Sequence, residues 1–194
     1  MHERLVEQAK QGVTVRKESW EKLFGHMRGT RQAQLALELM LADAAAREAA
    51  GWDWATHGYG QTAFQLVQAA AECGAPEVAE QLLERREELH LTLNKDLVPT
   101  LMRKVAAAMT PAGGRDADMD EQVEVVQRLY DKEAALRDTN SPEAAYELSR
   151  VLRRAENVGG VRALHSQIVK EGLPVRDGLV EDMVRWLAKR GVRV

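Results

Sequence analysis

Hydrophobic residues recur along the chain at intervals of three and four positions, which is the spacing of one face of a helix. One such stripe consists of Trp20, Leu23, Phe24 and Met27. Stripes with the same spacing follow at Phe64/Val67/Ala71, Ala79/Leu82/Leu83, Leu97/Leu101/Val105, Val123/Val126/Tyr130, Leu148/Val151/Leu152/Ala155 and Val161/Leu164/Ile168. Helical spacing therefore prevails almost everywhere, and the sequence predicts an all-α fold of about ten helices.

Turn signals separate these stripes. Thr30, after Arg28-Gly29, is a candidate N-cap, and Pro76 suits the first turn of a helix. Ser141-Pro142 followed by Glu143 is a strong helix start. Near the C-terminus we expect Asn157-Val158-Gly159-Gly160 to form a turn and Gly172 to cap the helix after it. Because these connections are short, successive helices are expected to pack as antiparallel hairpins.

The glycines that follow the first helix of each pair recur at a repeat-like distance. They lie 32 to 46 residues apart, at Gly29, Gly74, Gly113, Gly159 and Gly191. Helical-hairpin repeats have periods in this range. The sequence thus predicts one helical-repeat domain over residues 1–194, an α-solenoid of degenerate helix-turn-helix repeats. A Gly-rich aromatic insertion around residues 51–60 and a loop around residues 110–118 interrupt it.

Charge is distributed unevenly along the chain. The net charge is −3 overall, while residues 1–71 are neutral, residues 72–140 carry −6 and residues 141–194 carry +3. A general nucleic-acid-binding protein would be basic throughout. Any contact with a polyanion is therefore expected in the C-terminal third.

Two segments carry a recognisable repeat pattern. In residues 63–91, Gly74 is followed by Ala79-Glu80-Gln81-Leu82-Leu83, and in residues 144–175 Gly159-Gly160 is followed by Ala163-Leu164 and Gly172-Leu173. These units resemble pentatricopeptide repeats, an organellar RNA-binding family, and residues 178–191 look like the first helix of another repeat. The resemblance implies an α-solenoid, an RNA partner and a mitochondrial setting, with the chloroplast as the alternative. It does not supply a base-reading code.

The basic residues of the C-terminal third are the candidates for RNA contact, because guanidinium groups match phosphate oxygens. They are Arg150, Arg153, Arg154, Arg162, Lys170, Arg185, Lys189, Arg190 and Arg193. The alternative is an ordinary solvated surface in which these cations pair with Glu147, Glu156 and Glu181.

Aromatic residues of the insertion are candidates for a protein partner. Trp52, Trp54 and Tyr59 lie among glycines, and tryptophan offers a large contact area at low entropic cost. The alternative is that they pack between two repeats.

Catalytic and metal-binding patterns are missing from the sequence. The five histidines are scattered without metal-ligand spacing, and Gly113-Gly114 lacks the lysine and the strand of a phosphate loop. Cys73 is the single cysteine, at an expected helix end. We therefore expect no enzyme activity, no cofactor and no metal site.

The N-terminal residues carry early acids and no apolar core, so they do not resemble a targeting peptide, and no hydrophobic run reaches the length of a membrane span. The leading hypothesis is a non-catalytic subunit of an organellar ribonucleoprotein, with the mitochondrial ribosome as the first candidate. The alternative is a tetratricopeptide-like protein scaffold or a peripheral subunit of a large organellar complex.

Overall fold

A computed structural model describes residues 7, 11–53, 59–93, 95–109 and 119–193. Nine helices and no strand fall within these residues. In chain order they are α1 (Lys17–Gly25), α2 (Thr30–Ala49), α3 (Gly60–Glu72), α4 (Val78–Glu84), α5 (Leu97–Ala108), α6 (Met119–Arg137), α7 (Pro142–Arg154), α8 (Val158–Glu171) and α9 (Leu179–Ala188). The all-α prediction is confirmed for the described part of the chain. None of the helices in these residues combines the length and the hydrophobicity of a membrane span.

The predicted stripes form the buried faces of these helices. Leu23, Leu101 and Val161 are fully inaccessible, and most other stripe residues are nearly so. Phe64 and Val123 are only half-buried, because α3 and α6 turn slightly different faces inward. Periodic spacing thus located the core faces well.

Three expected positions at helix ends differ from those observed. Gly29 is the N-cap of α2, so Thr30 is its first residue, and Pro76 lies in the turn before α4. The expected glycine turn is also wrong: Asn157 is the N-cap of α8, and its Oδ1 accepts the Gly160 N–H at 2.8 Å. The two glycines therefore lie in the first turn of α8. Gly172 does cap the other end of α8, with φ of 62°.

The chain divides into two compact units. Unit 1 comprises Met1–Leu93 and Ala107–Met109, and unit 2 comprises Asn94–Ala106 and Thr110–Val194. In unit 1, α3 packs against α1, α2 and α4; in unit 2, α6 to α9 pack each against the next, and α9 also contacts α7. The solenoid and the single domain over residues 1–194 stay predictions, and the loop at 110–118 lies outside the described residues.

A buried carboxylate organises unit 1. Asp43 of α2 is inaccessible to solvent. Its Oδ1 accepts the Val15 N–H at 2.6 Å, and its Oδ2 accepts the Arg47 Nε–H at 2.9 Å and the Tyr59 hydroxyl proton. Burial and the bond to Asp43 raise the pKa of Tyr59. Since Arg47 also donates to the Val15 carbonyl at 2.7 Å, this network joins three segments distant in sequence.

Unit 2 contains a second buried acid, on α6. Glu133 is inaccessible, and its Oε2 accepts the Ser141 N–H at 2.9 Å and the Ser141 hydroxyl proton at 3.1 Å. Ser141 in turn caps α7 by accepting the Ala144 N–H at 3.2 Å. Burial raises the pKa of Glu133. The acid on α6 therefore fixes the start of α7.

Candidate nucleic-acid interface

A small cavity on unit 2 is lined by basic and polar side chains. Its volume is about 350 Å³, and Arg162, His165, Ser166, Val169, Lys170 and Arg193 form its lining. Among the described residues, no acid belongs to this lining. Three of the nine cations predicted to contact RNA therefore meet at one concave place.

The sequence of α8 explains how the cavity forms. Val161, Leu164 and Ile168 bury one face of the helix in unit 2. Residues 162, 165/166 and 169/170 then fall at i, i+3/i+4 and i+7/i+8 on another face, which points away from the core. Arg162 and Lys170 consequently extend from the two ends of one exposed face, and Arg193, beyond α9, completes the cavity.

Within the described part of the chain, no acid pairs with the cavity cations. Among the described residues, Arg162, Lys170 and Arg193 have no carboxylate within 4.0 Å. Glu171, which follows Lys170 in the sequence, instead accepts a hydrogen bond from the side-chain amide of Gln167 at 3.3 Å. A ligand anion would therefore meet these charges without displacing a protein carboxylate.

Most of the other predicted cations have protein partners. Arg150 pairs with the largely buried Glu147 at 2.9 Å, and Arg185 lies 3.5 Å from Asp182. Arg153 donates to the Ser149 carbonyl at 3.3 Å, and Arg154 also has an interaction partner. Of the acids named in the paired-surface alternative, Glu147 thus pairs with Arg150, whereas the acid beside Arg185 is Asp182 and not Glu181.

Arg190 is the most constrained cation of the set. Its Nε and Nη2 donate to the two carboxylate oxygens of Glu156 at 2.7 and 2.5 Å, and its guanidinium lies 3.6 Å from the Trp186 ring centroid. This arrangement joins the end of α9 to the turn after α7, so we assign Arg190 a structural role. Lys189 lies exposed at the C-cap of α9, outside the cavity lining.

The aromatic candidates occupy different environments. Tyr59 is buried: its hydroxyl group donates to Asp43, and its ring packs edge to face against Trp20. These contacts lie within unit 1, so little of the Tyr59 surface is left for a protein partner. Trp52 keeps 38% of its surface exposed, with the Arg47 guanidinium 4.5 Å from its ring centroid. Trp54 lies outside the described residues.

Three cavity residues had not been singled out as candidates from the sequence. The cavity lining also includes His165, Ser166 and Val169, whereas the prediction of RNA contacts named only cations. Their signal was present, since each lies one or two helical turns from Arg162 on the same face. Arg176 was also overlooked; it lies 4.6 Å from the Tyr146 ring centroid.

The chemistry of the cavity suits a phosphate group. Arginine offers paired N–H donors that match phosphate oxygens, lysine offers a point charge, and serine adds a hydroxyl donor. The lining thus combines positive charge with hydrogen-bond donors, which complement the charge and the acceptor oxygens of a phosphate.

Comparisons with known proteins add no relative. No protein-family model, no curated protein and no solved structure matches the chain. The pentatricopeptide resemblance therefore stays a prediction.

Proposed function

We propose that the protein is a non-catalytic RNA-binding subunit of an organellar ribonucleoprotein, and that it contacts RNA phosphates through the α8 cavity. The observation that carries this proposal is the convergence of Arg162, Lys170 and Arg193 without an acidic partner among the described residues. Cations left free of intramolecular pairs attract phosphate more strongly than cations already neutralised.

The charge balance supports a localised contact. The chain is acidic overall, with a net charge of −3, so a long RNA would be repelled from much of the surface. On this proposal the protein binds RNA at the cavity and uses its remaining helices for neighbouring proteins. The stepwise packing of α6 to α9 is compatible with a solenoid in unit 2.

The cellular setting is part of the proposal and comes from the repeat resemblance. We expect a mitochondrial particle, the ribosome first, with the chloroplast as the alternative. Sedimentation of native extract with and without ribonuclease tests this. Ribonuclease should release the protein from its large particle. Persistence in an unchanged, RNA-free particle would contradict the proposal.

Salt dependence tests the binding site directly. In fluorescence anisotropy with a labelled single-stranded oligoribonucleotide, log K should fall linearly with log salt, with a slope of about −0.7 for each phosphate that the cavity neutralises. Arg162→Gln combined with Lys170→Gln should weaken binding and make this slope shallower than that of the wild type. Lys22→Gln with Lys95→Gln is the matched control, because both lysines are exposed and lie outside the cavity. Equal slopes for the two double variants would exclude the cavity as the binding site.

A protein scaffold is the second candidate, and Trp52 favours it. An exposed tryptophan beside an arginine is typical of an interface hot spot. If this function is correct, Trp52→Ala should release the protein from its particle, whereas the cavity variants and ribonuclease should not. The two candidates therefore predict opposite results in the same sedimentation assay.

A further inference from the structure

The cavity has the size of a site for one small molecule and is too small to enclose a strand. Ligand sites for small molecules have volumes of roughly 300 to 1,000 Å³, and this cavity, at about 350 Å³, lies at the low end. A continuous strand needs a groove along which successive phosphates pass. A cavity of this size instead accepts one nucleotide or the end of a chain.

The positive charge exceeds what one internal phosphate requires. A phosphodiester carries one negative charge, whereas a phosphomonoester carries about −1.5 to −2 at neutral pH and has three accepting oxygens. Arg162, Lys170 and Arg193 bring three positive charges to the lining, and Ser166 adds a hydroxyl donor. Charge and donor number therefore match a phosphomonoester better than a phosphodiester.

An apolar side chain in the lining indicates that the ligand has an organic part. Val169 is 61% exposed, and the other residues of the lining are polar or charged. A free phosphate ion would leave this surface in water, whereas the sugar or base attached to a phosphate would cover it. His165, in the same lining, adds the flat face of an imidazole ring.

We propose that the α8 cavity binds the terminal phosphomonoester of a nucleic-acid strand. Arg162 and Lys170 approach the phosphate from the two ends of the α8 face, Arg193 closes the site, and Val169 contacts the terminal nucleotide. This inference rests on the proposed function, because it specifies which part of the RNA the same cavity recognises.

The experiment compares three forms of one oligoribonucleotide with the same sequence: hydroxyl at both ends, phosphate at the 5′ end, and phosphate at the 3′ end. One phosphorylated form should bind the wild-type protein about ten-fold more tightly than the hydroxyl form, the gain expected of a charge-assisted contact. Arg162→Gln should abolish that preference, and Lys22→Gln should retain it. Circular dichroism of both variants checks that they are folded.

The outcomes separate this inference from the proposed function. If all three forms bind equally and cavity variants weaken them equally, the terminal-phosphate site is overturned while RNA binding at the cavity stands. If a phosphorylated form is preferred and Arg162→Gln retains the preference, the site is also overturned. If no form binds at all, both proposals fail.

Discussion

Replacing Gly160 by alanine should destabilise the protein, although alanine is the better helix former. Gly160 lies in the first turn of α8, and a Cβ added there would lie 2.5 Å from Cδ2 of Leu152 and 3.0 Å from Oδ1 of Asn157. Carbon atoms in contact are normally about 3.5 to 4.0 Å apart. Leu152 would have to retreat by about 1 Å, and it is 1% exposed in the core of unit 2.

The change in the free energy of unfolding is the sum of two costs and one gain. Overpacking of this kind typically costs about 1 to 3 kcal/mol. Displacing Asn157 weakens the N-cap bond to Gly160, for up to about 1 kcal/mol more. The gain in helix propensity offsets at most about 1 kcal/mol, and less at a helix end. We therefore expect Gly160→Ala to lower the free energy of unfolding by about 1 to 3 kcal/mol.

Gly159 provides a matched control one residue away. A Cβ there meets only Oδ1 of Asn157, at 3.8 Å, which is an ordinary contact. Gly159→Ala should leave the free energy of unfolding unchanged or raise it by up to about 1 kcal/mol. Equilibrium urea unfolding followed by far-ultraviolet circular dichroism measures both variants. Adding Leu152→Val should recover part of the loss at Gly160, as a favourable coupling in a double-mutant cycle. Equal stability of the two alanine variants would refute the packing argument.

Two further predictions concern the buried acids. Tyr59→Phe removes one hydrogen bond to Asp43 and should lower the free energy of unfolding by about 1 to 3 kcal/mol in the same urea assay. The control Tyr146→Phe, at a half-buried position, should have little effect. Burial raises the pKa of Glu133, so the folded protein binds the proton of this carboxyl group more tightly than the unfolded chain does. The free energy of unfolding should therefore fall as the pH rises from the pKa of Glu133 in the unfolded chain to its higher pKa in the folded protein. Glu133→Gln should remove that part of the slope in urea midpoints measured from roughly pH 4 to 8, whereas Glu124→Gln, an exposed position on the same helix, should retain it.

Local patterns in the sequence were sufficient to predict the helices and their buried faces. The stripe Trp20, Leu23, Phe24 and Met27 is buried as expected, and Ser141 caps α7. The turn predicted at Gly159-Gly160 is wrong. Glycine is typical of turns, but Gly160 instead allows the helix to approach Leu152 closely. Whether a glycine serves a turn or a contact depends on the partner across the fold.

Pairing between distant residues could not be predicted in the same way. Asp43 stands in an alanine-rich helix and gives no local sign that Val15 and Tyr59 will surround it. Likewise, Arg190 and Arg193 look equivalent in the sequence, yet only the first meets Glu156, which lies 34 residues away. The sequence therefore identified the basic region, and tertiary structure was needed to separate the paired cations from those of the cavity.

The bond from Val15 to Asp43 has a consequence for hydrogen exchange. Val15 lies outside any helix, and amides in such segments usually exchange with solvent through local fluctuations. Its N–H, however, is buried against a carboxylate that also holds Arg47 and Tyr59. Releasing this proton requires the Val15 segment to leave both Asp43 and Arg47, because Arg47 also donates to the Val15 carbonyl. The Val15 amide should consequently exchange as slowly as the helical core of unit 1 and report on the cooperative opening of that unit.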